Sequence, residues 1–266
     1  MSARVATFSA RRTAVAKEKP RRDMAVLAGR CAVPLVCLAL WSVFAQTSTL
    51  VPSVPDTASA LWEAFSSGSV FGPLLDSLKA VLGGFAIAAV VGVLVGVGLG
   101  RSRLLGLAFE PLVTAMFATP RIILYPVMLA IFGVGLPAKL WLAVLSAVFP
   151  IILNTAAGIR DVSPTFVKLA AATSCSRRQT LQKIYLPAAA PAIMVGIRVG
   201  FSISFVTVTI AEMYAAKTGL GQLVQTAYAF QRYDELFAMV ALITLIALAG
   251  NFALWAAERR VRESMT

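Results

Sequence analysis

The sequence predicts an all-α fold, a polytopic bundle of about six transmembrane helices. Three observations carry that reading. Of 266 residues, 59% are apolar and only 14% charged, against roughly 45–50% and 25% in an ordinary soluble domain. The apolar residues gather in six windows, near 27–47, 79–100, 105–132, 139–158, 188–215 and 236–257, each long enough for the ~20 residues a helix needs to cross hydrocarbon. The basic residues follow the alternation: with the N-terminus inside, 18 of the 24 Lys and Arg fall in inner segments, and four (Lys79, Lys139, Lys217, Arg232) fall outside or at the outer boundary. That is the positive-inside asymmetry, so both termini are expected in the cytoplasm. The net charge of +12 is then topology rather than a surface for nucleic acid.

Residues 1–26 form a polar, basic tail expected to be disordered and cytoplasmic. The first window, "CAVPLVCLALWSVFAQ", could be read as a secretory signal peptide with Val43 and Ala45 at the cleavage site. Removing it would leave an odd number of crossings, so residues 27–258 are read as one permeation domain. Cys31 and Cys37 fall on different faces of this helix, Cys175 faces a reducing compartment, and no disulfide is expected. In the second window Gly92, Gly96 and Gly100 recur every four residues, a stripe along which another helix can approach the backbone; Gly196 and Gly200 repeat it in the fifth. Pro111, Pro120 and Pro126 interrupt the third window, which is expected to be kinked and interior. The sixth window is followed by a cytoplasmic tail at 259–266.

Several chemistries are excluded. The chain has no His, so His-based proton transfer and His-ligated zinc are absent. "AAKTGLG" carries Lys217 and Thr218 but lacks the glycines that would cradle a phosphate. No metal or catalytic constellation is visible at any spacing. An ion-coupled secondary transporter or a channel is the alternative class, and would place its ions at intramembrane carboxylates such as Glu110 and Glu212.

The most informative segment lies between the fourth and fifth windows, "DVSPTFVKLAAATSCSRRQTLQKIYLP", within a loop spanning 160–187. Ser163 before Pro164 reads as an N-cap with proline at the first helical position. Ser176 with Gln179 three residues later reads as a capping box, and Leu181, Ile184 and Tyr185 give the second helix a narrow apolar face. Thr173, Ser174 and Cys175 make the turn. The second helix is expected to end before Pro187, because proline disfavours a helical Leu186 and offers no N–H.

This loop resembles the cytoplasmic signature of permease subunits of ATP-binding-cassette importers, written E-A-A, three residues, G, nine residues, I-x-L-P. The matching positions are Lys168, Leu169, Ala170, Ser174, Ile184, Leu186 and Pro187. Ala170, Ile184, Leu186 and Pro187 hold the family's residues. Leu169 is a mild apolar swap, Lys168 stands where Glu is usual, and Ser174 stands where Gly is usual. "PAAAPAIMVGIRVGFSISFVTVTIAEMYAAKTGLGQLV" and "FATPRIILYPVMLAIFGVG" resemble the nitrate, sulfonate and taurine branch, and the likeness covers roughly 30–262.

The resemblance implies a type I importer permease fold in a bacterial inner membrane and a chain that is not itself an enzyme. The implied partners are a second permease copy, two ATPase subunits and an extracytoplasmic solute-binding protein. It implies that this chain binds no cofactor, with ATP and Mg held by the ATPase. Its coupling helix would dock on the ATPase through the seven matching positions together with Ser176, Arg177, Gln179 and Leu181. The solute is expected to be a small organic anion such as a sulfonate, or nitrate.

Candidate path-lining residues are Asn154, Ser202, Ser204, Thr207, Thr209 and Glu212. Ser202 and Thr209 share one helix face while Ser204 and Thr207 lie nearly opposite, so they cannot all line one channel. Glu212 is expected to face the interface, water or a cation such as Lys217. Arg121 and Arg198 invite the same argument, or reach the interface along their stems.

Overall fold

In the computed structural model, residues 32, 33, 35–48 and 50–263 are described; the tail 1–26, Cys31 and the start of the first predicted span lie outside them. The chain divides into two units, 1–59 and 60–266. In the first unit an apolar helix, α1 (Leu35–Thr47), is followed by a turn in which the Trp41 indole donates to the Pro52 carbonyl at 3.0 Å. The Ser53 hydroxyl then accepts the Asp56 N–H at 3.3 Å, opening α2 (Val54–Ser66), which continues into the second unit.

In its described residues the second unit forms helices joined by short turns, with no strand among them. It comprises α3 (Phe71–Arg101), α4 (Arg103–Ala118), α5 (Tyr125–Phe132), α6 (Leu136–Arg160), α7 (Pro164–Ala172), α8 (Arg177–Thr180), α9 (Leu186–Ala215), α10 (Leu220–Ala229) and α11 (Tyr233–Glu263). Four stretches are long and apolar enough to cross a bilayer: α3, α6, the run from Arg177 to Ala215, and α11.

The centre of the unit is α6. The two glycine stripes explain why, because both land on it from different helices. A Cβ at Gly92 would meet Ile151 at 2.8 Å, at Gly96 Thr155 at 2.6 Å and at Gly100 Ile159 at 2.7 Å, while a Cβ at Gly196 would meet Asn154 at 2.8 Å. Small residues on α3 and α9 thus let both backbones approach α6, as small-residue stripes do in membranes. The most apolar window of α6 is 78% buried by the protein, against 33% for α3 and 17% for α11.

This contact gives a direct test. Gly96→Ala forces a methyl against Thr155 and the Ile152 carbonyl, whereas Gly98→Ala, on the same helix, meets nothing within 4 Å. Overpacking at the first site is expected to cost about 1–3 kcal/mol. The second site is expected to be neutral or slightly stabilising. Thermal melts of the two purified variants check the difference.

Two expectations are corrected here. The third predicted span is bent as expected, α4 and the segment Arg121–Phe132 meeting at 86°, but its first half is not interior. The break falls at Thr119–Pro120, where a 3₁₀ turn, Arg121–Leu124, begins. Pro111 is carried inside α4, and Pro126 sits in the first turn of α5, where its missing N–H costs nothing. Of the α4 residues only Gly106 is buried, so within the single chain this helix faces outward.

The second correction concerns Pro187. The helix does not stop there: α8 passes through a π turn, Leu181–Tyr185, directly into α9. The Leu186 N–H bonds to the Leu181 carbonyl, five residues back. Widening the helix by one residue is a way to seat a proline ring that would otherwise collide with the carbonyl four residues earlier.

Candidate functional site

The loop folds as its caps dictate. The Ser163 hydroxyl accepts the Thr165 N–H at 3.3 Å. Ser176 and Gln179 exchange both bonds of a capping box, at 2.8 and 3.2 Å. Between them α7 ends with Ser174 at φ 56°, the Ser174 N–H on Ala171 O (3.1 Å) and the Cys175 N–H on Ala170 O (2.9 Å). These two bonds are a Schellman closure, with a left-handed residue that is usually glycine. Ser174→Gly is therefore expected to stabilise the bend, by about 1 kcal/mol at most. Ser174→Val should loosen it, and slower or faster amide exchange over 164–180 is the readout.

The side chains of the loop divide into two sets. Ala170 is buried, and Leu181, Ile184, Tyr185 and Leu186 are half-buried. Lys168, Ser174, Ser176, Arg177, Gln179 and Pro187 are exposed. Two apolar side chains on α7 are exposed as well, Phe166 by 55% and Leu169 by 59%. The Arg101 guanidinium lies over the Tyr185 ring, 5.5 Å from its centroid, and ties the π turn to the end of α3.

At the opposite end of the bundle is a buried polar knot that the sequence reading had only in part. Glu212 is 1% exposed and Lys139 2%, with Lys139 Nζ 2.9 Å from Glu212 Oε1. Glu212 therefore pairs with Lys139 and not with Lys217, which is exposed. The Ser77 hydroxyl lies 2.9 and 2.7 Å from the two carboxylate oxygens and accepts the Leu220 N–H at 2.8 Å. The Gly221 N–H donates to Glu212 Oε2 at 3.1 Å, and Lys139 also donates to the Thr218 carbonyl at 3.0 Å.

Backbone geometry makes the knot possible. Gly219 has φ 133°, and a side chain there would strike the Glu212 carboxylate; one at Gly221 would strike the Thr209 carbonyl. The "GLG" element is thus the shape needed to wrap a loop over a carboxylate. Lys139 sits in the first turn of α6 and Glu212 in the last turn of α9, each at the helix end whose dipole disfavours its charge. Neither charge would be tolerated there without the other.

Several other charges on the spans have partners as well. Arg160 grips Glu110 with two bonds of 2.5 and 2.7 Å. Arg198 faces the buried Glu258 at 3.4 Å, and Arg262 reaches the same carboxylate at 2.9 Å, so Arg198 is an ion-pair partner within the fold. Arg121 lies over Phe117 and Phe149, at 4.8 and 5.9 Å from their centroids, and donates to the Phe117 carbonyl. Glu110 and Glu212, the carboxylates an ion-coupled carrier would use, are both committed to cations.

The path candidates separate as their spacing implies. Ser204 and Thr207 are buried and bond to backbone carbonyls of their own helix, Phe201 and Ile203. Ser202 and Thr209 lie on the side of α9 that faces α11. Ser202 Oγ is 2.8 Å from Asn251 Oδ1, and Thr209, Thr244 and Asn251 border one groove of about 310 Å³ between these helices. Asn154 donates to the Pro150 carbonyl at 2.8 Å where α6 meets α9. Asn251, Thr244, Lys139 and Ser77 escaped the sequence reading. A lysine in the first turn of an apolar helix was the available signal for the third; the others carry none.

The described residues thus form a bundle of membrane-length helices with a capped two-helix knuckle beside its spans. The chain belongs to the family described as binding-protein-dependent transport system inner membrane component, whose model matches residues 88–265. It is a non-catalytic permease subunit, multi-pass in the inner membrane. It is 30% identical over 199 residues to the taurine transport system permease protein TauC of Escherichia coli, covering 75% of this chain and 72% of that one. It is 31% identical to the riboflavin transport system permease protein RibX of Chloroflexus aurantiacus, with 75% and 74% covered, and 26% identical to the nitrate import permease protein NrtB of Leptolyngbya laminosa, with 81% of each covered. The fold is that of the inward-facing MetNI methionine ABC transporter, with a TM-score of 0.63 at 21% identity over 72% of this chain and 95% of that chain.

Proposed function

We propose that residues 163–186 are the element through which a separate ATPase drives this permease, with the loop and both termini cytoplasmic. The observation that carries the reading is continuity. From Arg177 to Ala215 the chain is one helical run of 39 residues, roughly 58 Å of rod at about 1.5 Å per residue. One end carries the capped knuckle with Phe166 and Leu169 open to a partner. The other end is pinned by Glu212 to α6 and α3. A push on the knuckle therefore tilts α9 about a fixed point instead of being absorbed by a hinge, a rigid-body transition of the kind that alternates access in transporters.

In this reading the chain works beside a second permease copy, two ATPase subunits that hold ATP and Mg, and an extracytoplasmic solute-binding protein, and it binds no cofactor itself. The solute is a small organic anion such as a sulfonate, or nitrate, admitted past the Ser202, Thr209, Thr244 and Asn251 face. Reconstitution into vesicles tests the proposal. Uptake should require the ATPase, ATP and the binding protein together. Uptake by this chain alone along an ion gradient would favour a secondary carrier.

A further inference from the structure

We infer that the junction of α3 and α4 is a binding site for an anionic phospholipid. The helices are separated by a single residue, Ser102, and the junction carries Arg101 and Arg103. With Arg160 these two arginines line a cavity of about 240 Å³ that also contains Ser102, Gly106 and Glu110. Glu110 is held by Arg160 through two bonds, so the cavity keeps the positive charge of Arg101 and Arg103, both exposed. A Cβ at Gly106 would approach Arg160 Nη1 at 3.3 Å, so the glycine leaves Arg160 its route across α4. Arginine forks of this kind suit a phosphate oxygen pair.

A second feature distinguishes a lipid from a free phosphate. The cavity shares Gly106, Leu107 and Glu110 with a shallow open groove of about 560 Å³ that runs along one face of α4, past Pro111, Thr114, Ala115 and Ala118, and is lined by that helix alone. From Gly106 to Ala118 the groove follows twelve residues of α4, roughly 18 Å. Its walls are mostly small and apolar, and it runs from the basic end of the bundle into the span. A phosphate among arginines at one end and an open apolar slot along one helix leading away from it match the two halves of a phospholipid. Basic pockets between spans at the cytoplasmic leaflet attract anionic headgroups, each basic side chain near the surface adding to the attraction. The proposal rests on the orientation proposed above and stands whether or not the loop at 163–186 docks an ATPase.

Native mass spectrometry of the full-length chain in detergent, titrated with phosphatidylglycerol, phosphatidylcholine or inorganic phosphate, tests it. Phosphatidylglycerol should bind in preference to phosphatidylcholine, and Arg101→Gln with Arg103→Gln should weaken it roughly tenfold or more. Arg259→Gln with Arg260→Gln, the same loss of charge at the end of α11, should leave it unchanged. Ala115→Trp fills the slot and should reduce lipid binding while the arginines remain. Thermal melts of each variant confirm that the bundle is intact. Binding of inorganic phosphate with no effect of Ala115→Trp on phosphatidylglycerol would make this a free-phosphate site and overturn the proposal. Equal binding of the two lipids, or equal loss in the α11 variant, would overturn it as well.

Discussion

Glu212→Gln is expected to lower the thermal midpoint of the purified chain by roughly 10 °C. The substitution keeps the shape of the side chain but leaves Lys139, 2% exposed, as an unpaired charge inside the bundle. Removing one partner of a buried ion pair costs about 3–5 kcal/mol, and each kcal/mol shifts the midpoint by about 2–4 °C in chains approaching this size. Lys139→Met should be similarly harmful, because Glu212 then keeps only the Ser77 hydroxyl and the Gly221 N–H. The double variant Lys139→Met/Glu212→Gln should be more stable than either single one, since a neutral pair of similar volume has no desolvated charge to offset. Single variants that melt like the wild type, or a double variant whose loss is the sum of the two, would show that the knot does not pin α9.

The second large effect is expected on partner binding and not on stability. Phe166→Asp combined with Leu169→Asp changes two side chains that are 55% and 59% exposed. Exposed substitutions of this kind usually move stability by less than about 0.5 kcal/mol. If these side chains anchor the ATPase, charging both should weaken the complex by about 2 kcal/mol or more, a factor of roughly 30. Co-purification with the ATPase and permease-stimulated ATP hydrolysis should both fall while the melt is unchanged. A complex that survives the double substitution would place the docking surface elsewhere. Ile184→Asp and Leu181→Asp are poorer probes, since both side chains are half-buried against the bundle and their loss mixes folding with docking.

Much of this could be read from the sequence where the cause is local. The Ser163 cap, the Ser176–Gln179 box and the bend at Ser174 are set by residues within four positions of one another, and all three formed as their chemistry requires. The glycine stripes were legible because a four-residue period of Gly is a statement about the helix that must lie against it. The failures were equally physical. Proline at 187 argues for a helix end in isolation, but a π turn accommodated it. Three prolines in one span could each have bent it, and no local pattern says that the break falls at Thr119–Pro120 while Pro111 stays inside α4. The partner of Glu212 lies 73 positions away at Lys139, and no short-range pattern distinguishes it from Lys217, five positions along.

The α9 rod also relates the two ends of the account. The loop at its start and the knot at its far end sit on one unbroken helix, so the knot variants should impair coupling even where enough folded chain survives to assemble. Uptake per assembled complex, compared between Lys139→Met/Glu212→Gln and the wild type, separates that mechanical loss from a loss of folded protein.

The most direct measurement is a photo-crosslinking residue placed at position 169 in the complete transporter. A covalent adduct to the ATPase subunit is expected, changed in yield when ATP is added. An adduct only to lipid or to the extracytoplasmic solute-binding protein would contradict it.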